Sequence, residues 1–324
     1  MRERPPDIRD SDVAAALARQ WRLSVRELSY LPVGFGGYHW LAVDQTGSRW
    51  FVTVSDLAAP WVPDLQAAMQ TAAWLAGETG LEFVVAPVQM RDGLVVGSLN
   101  SRHALTLFPY LDAAPSHFDD MIDDADRDAI IDMLAALHTA APTGVQLPGR
   151  PLELANRQAI EQALASLDVP WAGGPYAEPG RELLARYERP LRQGLARFGD
   201  LLDRVRKAGG PYVITHGEPH PGNLLRTQAG LRLIDWDTVA LARPERDLWS
   251  VISGDQDAAR YEGRTGWAVN QDALALYRLR WSLDEIAEFL SEIRRPHLET
   301  ADTLTSWTAL QETLAEIAEG SETP

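Results

Sequence analysis

Apolar and polar residues alternate along the first third of the chain in the way that β-strands require. Residues 41–54 read LAV, DQTGS and RWFVTV, which predicts a hairpin whose turn lies at residues 44–48. Just before it, residues 33–38 form a glycine-dense loop. Three more short strands are predicted over residues 83–88, 94–97 and 104–110, so that a small sheet of about five strands results.

Helical periodicity first appears in residues 64–77, where apolar side chains recur three and four positions apart. Beyond residue 109 the chain becomes mostly helical, with strand-like interruptions at residues 212–215 and 231–235. We therefore predict an α+β fold with an amino-terminal part of residues 1–108 and a helical part of residues 109–324. The helical segments predicted in the second part are residues 126–139, 152–167, 181–207, 271–294 and 301–319.

Composition excludes several kinds of chemistry. The 324 residues include no cysteine, which rules out disulfides, thiolate nucleophiles and cysteine-bound zinc. The net charge of −16 would repel nucleic acid. The same charge suits a cationic small molecule, but many proteins are acidic only because charge keeps them soluble. No apolar run approaches the roughly 20 residues that span a bilayer. Neither nucleic acid nor membrane is expected as a partner, and a cytoplasmic location is expected.

The strongest chemical signal is a pair of neighbouring segments, VITHGEPHPGNLL at residues 213–225 and LRLIDWD at residues 231–237. Phosphoryl transfer needs a carboxylate that orients the attacking hydroxyl, and oxygen ligands that hold magnesium against the phosphates. Protein kinases place an aspartate, an asparagine five residues later, and a second aspartate on the next hairpin. Glu218, Asn223 and Asp235 reproduce that spacing.

These segments resemble the aminoglycoside and choline phosphotransferases, the small-molecule branch of the protein-kinase superfamily. The family pattern His-Gly-Asp, Leu-His-Pro-Gly-Asn and Ile-Asp-Trp is matched at nine positions, and the resemblance extends over residues 31–249. It implies a protein-kinase-like two-lobed fold and ATP or GTP as co-substrate, with Mg²⁺. The matching residues are His216, Gly217, His220, Pro221, Gly222, Asn223, Ile234, Asp235 and Trp236.

The resemblance also implies roles for particular residues. Glu218 stands at the place of the catalytic base, and Asn223 and Asp235 would coordinate magnesium. His216 would brace the loop, whereas Asp247 is expected to be a structural cap. The residues that would meet the nucleotide are Gly34, Gly36 and Gly37 at the phosphates, Thr53 at the position of the phosphate-binding lysine, and Phe108 and Tyr110 near the adenine.

Two departures from the family pattern bear on activity. The phosphate-binding lysine is replaced by Thr53, and the chain's only lysine, Lys207, lies in the second part of the chain. Arg49, on the same face of the strand, is the nearest cation that could replace it. Glu218 stands where the family has aspartate, and a shift of about an ångström in a carboxylate can cost about a hundredfold in rate.

The motifs have other interpretations. Histidines four apart with a glutamate between them, at His216, Glu218 and His220, suggest a zinc helix, but the prolines and glycines among them exclude a helix. The glycine loop alone could be a plain turn leading into a hairpin.

We predict a phosphotransferase that moves a γ-phosphoryl group to a hydroxyl of a small acceptor, such as an aminoglycoside, aminocyclitol or amino sugar, with antibiotic resistance among its roles. The alternative is a nucleotide-binding pseudokinase.

Overall fold

The computed structural model describes residues 1–34, 36–58, 65–113, 117, 120–142 and 146–322. Phe35 of the glycine loop and Asp64 at the start of the first predicted helix lie outside the described residues. The chain divides into two compact units, Met1–Arg150 with Pro211–Ala268 and Pro151–Gly210 with Val269–Pro324. The division into lobes at residue 108 stays a prediction.

In the described residues of the first unit, five antiparallel strands form one sheet in the order β1-β2-β3-β5-β4. The predicted hairpin is confirmed, since β2 and β3 pair throughout their length. The strands are β1 (Val25–Leu31), β2 (Tyr38–Asp44), β3 (Arg49–Asp56), β4 (Val96–Ser98) and β5 (His103–Pro109).

Membership of the sheet differs from the prediction at one strand. The strand predicted at residues 83–88 is wrong: Val84 makes a single bridge to Leu233, and Val85 N–H donates to Leu233 O at 3.1 Å. The segment is linked to Leu233 by these bonds and to β5 by one bond from Val88 N–H to Leu107 O at 2.7 Å, but it forms no strand of its own. β1 takes its place, and it was missed because a register shift between Val25 and Glu27 interrupts the alternation of its side chains.

One face of the sheet packs on an amino-terminal helix, α1 (Asp10–Gln20), and forms a core whose strand residues include Trp40, Ala42, Val52 and Val54, all without exposed surface. Because side chains alternate across a strand, the neighbouring residues point to the other face. That second face therefore carries His39, Leu41, Phe51 and Thr53.

The remainder of the first unit contains helices and two short two-stranded sheets. Strand-like segments predicted at residues 212–215 and 231–235 are confirmed as β6 and β8. The elements are α2 (Leu65–Glu78), α3 (Asp124–Thr139), β6 (Val213–Thr215), β7 (Leu224–Thr227), β8 (Gly230–Leu233), β9 (Ala240–Ala242), α6 (Glu245–Leu248) and α7 (Asp255–Thr265). β6 pairs with β9, and β7 pairs with β8 in a hairpin. The first chemical motif therefore runs from β6 to β7, and the second begins on β8.

The second unit is helical over the part that the structure describes. Its long helices α5, α8 and α9 pack on one another, and α4 packs on α8. The predicted helices are confirmed, although the segment predicted at residues 152–167 is shorter. The bounds are α4 (Arg157–Leu164), α5 (Ala177–Ala208), α8 (Gln271–Ile293) and α9 (Ala301–Glu322). None of the helices in the described ranges has both the length and the apolar character needed to cross a bilayer.

Candidate active site

The loop between β6 and β7 begins with a backbone turn that only glycine accommodates. Gly217 has φ +107°, and a Cβ atom placed there would collide with the guanidinium of Arg246. That guanidinium cannot easily move, because it donates to Thr215 Oγ1 at 2.8 Å and to Thr238 O at 2.9 Å. The turn therefore sets the direction in which Glu218 leaves the strand.

His216 ties this loop to the segment that carries Asp235. Its Nε2 lies 2.8 Å from Ile234 O, and its Nδ1 accepts the Glu218 amide at 3.2 Å. Burial lowers the pKa of His216 to about 4, so the ring is neutral with its proton on Nε2. Its edge packs on Trp236, with ring centroids 4.7 Å apart. The bracing role predicted for His216 is confirmed.

A buried carboxylate holds the start of the same loop. Asp247, on α6, accepts the amides of His216 at 2.8 Å and Gly217 at 2.6 Å. It also accepts from His138 Nε2 at 3.1 Å, and the side chains of both partners have no exposed surface. Burial alone would raise the pKa of Asp247, but the hydrogen bond from His138 and nearby positive charge hold that pKa below its usual value. Asp247 is thus structural, as predicted.

Asn223 connects the other two residues of the predicted metal and base set. Its side-chain Nδ2 donates to the main-chain oxygen of Glu218 at 2.9 Å and lies 3.2 Å from His220 Nε2. The main-chain carbonyl of Asn223 accepts the Ile234 amide at 3.0 Å. With the NH₂ group bonded in this way, the amide oxygen keeps its capacity to bind a cation. The structure therefore brings Glu218, Asn223 and the residue preceding Asp235 into one bonded arrangement.

The electrostatics of this arrangement suit a divalent cation. Asp235 has exposed surface, yet the protein packed around it desolvates its carboxylate and raises its pKa. The pKa of Asp237 is raised well above its ordinary value, first by burial and then by the negative charges of Asp235 and Glu218. The positive charge of a metal ion would favour the ionised forms of both carboxylates and so lower the pKa of each.

The donor set fits magnesium better than a transition metal. Asn223 and Asp235 offer oxygen atoms, and Mg²⁺ is commonly held by one or two carboxylates together with substrate phosphates and water. Over the ranges that the structure describes, there is no group of three histidine or acidic side chains that could hold a metal by itself. Magnesium at this place would thus depend on the phosphates of a nucleotide.

Of the predicted nucleotide residues, Thr53 and Phe108 lie on one face of the sheet, and the others lie in segments next to it. The register places Thr53 opposite Thr106 and Phe51 opposite Phe108, on the face away from the α1 core. Tyr110 follows β5 and donates its amide to Arg49 O at 3.2 Å. In the loop before β2, Gly34 and Gly36 have φ of 71° and 80°.

Arg49 does not replace the missing lysine in this structure. Its guanidinium pairs with Asp112 and lies 4.7 Å from the centre of the Tyr110 ring. It begins β3, four residues or about 13 Å of extended strand from Thr53. The glycine loop lies at the other end of the hairpin.

Sequence reasoning missed His39, which is the direct partner of Thr53 on the neighbouring strand of the hairpin. Its Nδ1 is 3.2 Å from Thr53 Oγ1, and its ring stacks on Phe51 with centroids 4.9 Å apart. Burial, reinforced by the positive charge of the Met1 ammonium, lowers the pKa of His39 to about 3. The same ammonium donates to Gly37 O at 2.8 Å. The predicted hairpin turn at residues 44–48 was the signal that could have revealed this pair.

The chain has recognisable relatives among known sequences. Residues 27–289 match the family model of the phosphotransferase enzyme family. Protein StrN of Streptomyces griseus is 31% identical over 253 residues, which cover 75% of this chain and 75% of that protein.

Solved structures show the same fold. A spectinomycin phosphotransferase, solved with ADP and spectinomycin, superposes with a TM-score of 0.72 over 98% of this chain and 99% of its own, at 17% identity. Choline kinase LicA from Streptococcus pneumoniae gives a TM-score of 0.59 over 95% and 99% of the two chains, at 16% identity. The predicted α+β fold of the protein-kinase-like type is confirmed.

Proposed function

The chain belongs to the phosphotransferase enzyme family, and on that premise we propose that it transfers the γ-phosphoryl group of ATP or GTP to a hydroxyl of a small acceptor. The observation that carries this proposal is the bonded arrangement of Glu218, Asn223 and the segment of Asp235. An aminoglycoside, aminocyclitol or amino sugar is the proposed acceptor class. The net charge of −16 supports a cationic acceptor, and a similar structure is that of a spectinomycin phosphotransferase.

Each residue of the arrangement has a distinct task in the proposed reaction. Asn223 and Asp235 would hold Mg²⁺, which neutralises and orients the phosphates when it is bound. Glu218 orients the acceptor hydroxyl and takes its proton as the oxygen attacks the γ-phosphorus, while the bond from that phosphorus to the β-phosphate oxygen breaks and nucleoside diphosphate leaves. His216 and Asp247 keep the loop in place.

A nucleotide-binding module without catalysis is the second candidate. It is favoured by Thr53, which cannot supply the cation that the resemblance places there, and by Glu218, whose side chain is one methylene longer than aspartate. Such a module would bind nucleotide without consuming it. The two candidates therefore differ in whether product appears.

Acceptor-dependent product formation separates the candidates. The protein is incubated with Mg²⁺, ATP or GTP, and a panel of aminoglycosides, aminocyclitols, amino sugars and choline, and the products are analysed by mass spectrometry. A phosphorylated acceptor together with an equal amount of nucleoside diphosphate supports the proposed transfer. Nucleotide binding with no phosphorylated acceptor anywhere in a broad panel would favour the module instead.

The variant Glu218→Gln is expected to lower kcat by about a hundredfold or more, because general base catalysis contributes about 10²- to 10⁴-fold. Nucleotide affinity should be unchanged, since the amide retains the size of the carboxylate. Steady-state kinetics with the best acceptor measure the effect. Glu82→Gln, which changes an exposed glutamate of the same unit, is the matched control. Equal turnover by both variants would remove Glu218 from the mechanism.

A further inference from the structure

We propose that His39 supplies the hydrogen-bond donor for the nucleotide phosphates at the place where the resemblance expects a lysine, an inference that rests on the proposed function. The hairpin register is the first observation behind it. His39 and Thr53 are direct partners in the β2–β3 ladder, and both lie on the face away from the α1 core. A donor on His39 thus starts from the strand position beside the missing lysine.

The contacts of the ring leave one nitrogen for a ligand. Nδ1 lies 3.2 Å from Thr53 Oγ1, and a hydroxyl that donates to Nδ1 fixes the proton of a neutral ring on Nε2. That nitrogen faces the glycine loop: a Cβ atom built on Gly34 would lie 3.0 Å from Nε2, and one on Gly37 would lie 3.4 Å from it. A side chain at either position would crowd Nε2, and glycine avoids that contact.

A neutral donor differs from lysine in what it contributes. It hydrogen-bonds to phosphate oxygens, yet it adds no positive charge to balance them. The nucleotide would then depend more on magnesium at Asn223 and Asp235 for its charge compensation. Burial and the nearby Met1 ammonium both keep His39 in this neutral form.

A purely structural role makes a different prediction. The ring also stacks on Phe51, so His39 could serve only to support the glycine loop. In that case any side chain of similar volume would serve, and adenosine and ATP would be affected alike. If His39 instead binds phosphate, its replacement weakens the binding of ATP and leaves the binding of adenosine unchanged.

Calorimetric titration with ATP and with adenosine, in Mg²⁺, distinguishes the two roles. His39→Leu retains volume without a donor, His39→Gln retains an N–H donor at a similar reach, and exposed His117→Leu is the control. We expect His39→Leu to weaken ATP binding by about tenfold, the scale of a hydrogen bond to a charged group. Adenosine affinity should be unchanged in every variant, and His39→Gln should retain most of the ATP affinity.

Three other results of these titrations would overturn the inference. Equal losses for ATP and adenosine, unchanged ATP binding by His39→Leu, or equal loss in His39→Gln would each contradict a donor at Nε2. Wild-type protein that binds neither ATP nor GTP would overturn the proposed function as well, whereas normal transfer by His39→Leu would overturn the inference alone.

A measurement on the wild-type protein covers the case in which a variant does not fold. The ¹⁵N resonances of the His39 imidazole are recorded with and without each ligand. We expect the Nε2 resonance to shift when ATP is added and to stay in place with adenosine. An Nε2 resonance that does not shift although ATP binds would refute the proposed contact between Nε2 and the phosphates.

Discussion

Replacing Asp235 with asparagine is expected to lower kcat/KM for acceptor phosphorylation by about a thousandfold. The reason is that a catalytic metal stabilises transition-state charge by several kcal/mol, and each loss of about 1.4 kcal/mol is a factor of ten in rate. Asparagine keeps the shape of the side chain but gives a magnesium ion no negative charge. Steady-state kinetics across a range of Mg²⁺ concentrations measure this loss.

The same variant is expected to raise the thermal stability of the protein without ligand. The protein packed around Asp235 raises the pKa of its carboxylate, and burial followed by the charges of Asp235 and Glu218 raises the pKa of Asp237. The ionised carboxylate of Asp235 therefore destabilises the fold at neutral pH. Asparagine removes that charge. Asp92→Asn, at an exposed turn, is the control for both measurements. A variant that matches this control in kcat/KM would show that Asp235 holds no catalytic metal.

Replacing Asp247 with alanine is expected to reduce the free energy of unfolding by roughly 3–5 kcal/mol, the range found when one partner of a buried pair is removed. The change leaves the amides of His216 and Gly217 without their acceptor, and an unsatisfied buried donor costs about 1–3 kcal/mol. Turnover should fall as well, because those amides begin the loop that carries Glu218. Denaturant unfolding monitored by circular dichroism measures the stability.

Asp272→Ala is the matched comparison for this prediction. Asp272 pairs with Arg204 at 3.0 Å, but both side chains are about half exposed, and exposed ion pairs contribute only about 0–1 kcal/mol. Asp247→Asn should fall between the two alanine variants, because its amide oxygen can still accept one amide. If Asp247→Ala and Asp272→Ala lost equal stability, Asp247 would not be the residue that holds the loop.

The parts of the fold that sequence could predict are those whose pattern is local. The β2–β3 hairpin was found because its alternation and its turn lie in one short segment. The order of Glu218, Asn223 and Asp235 was found because their spacing is part of a single motif. By contrast β1 was missed, since a register shift near Val25 disturbs its alternation. The run at residues 83–88 was misassigned because Val84 and Val85 are buried although only Val84 makes a bridge, to Leu233.

Contacts between distant segments could not be read in the same way. The expectation that Asp247 is structural did not identify its partners, because the amides of His216 and Gly217 reach it only when α6 packs against the loop. The loss of the lysine at Thr53 was visible, but Arg49 was chosen as its replacement from strand periodicity alone. Periodicity gives the face of a residue, whereas the register across the hairpin is what places His39 beside Thr53.

We propose that Asn223 and Asp235 hold a divalent ion against a nucleotide beside Glu218. A crystal of the protein with a nonhydrolysable ATP analogue and Mn²⁺, an anomalous scatterer that can replace Mg²⁺, tests it directly. We expect an anomalous peak bonded to Asn223 Oδ1 and the Asp235 carboxylate at about 2.0–2.3 Å, close to the range for magnesium, with the γ-phosphate facing Glu218. Nucleotide and metal bound away from these three side chains would contradict the account.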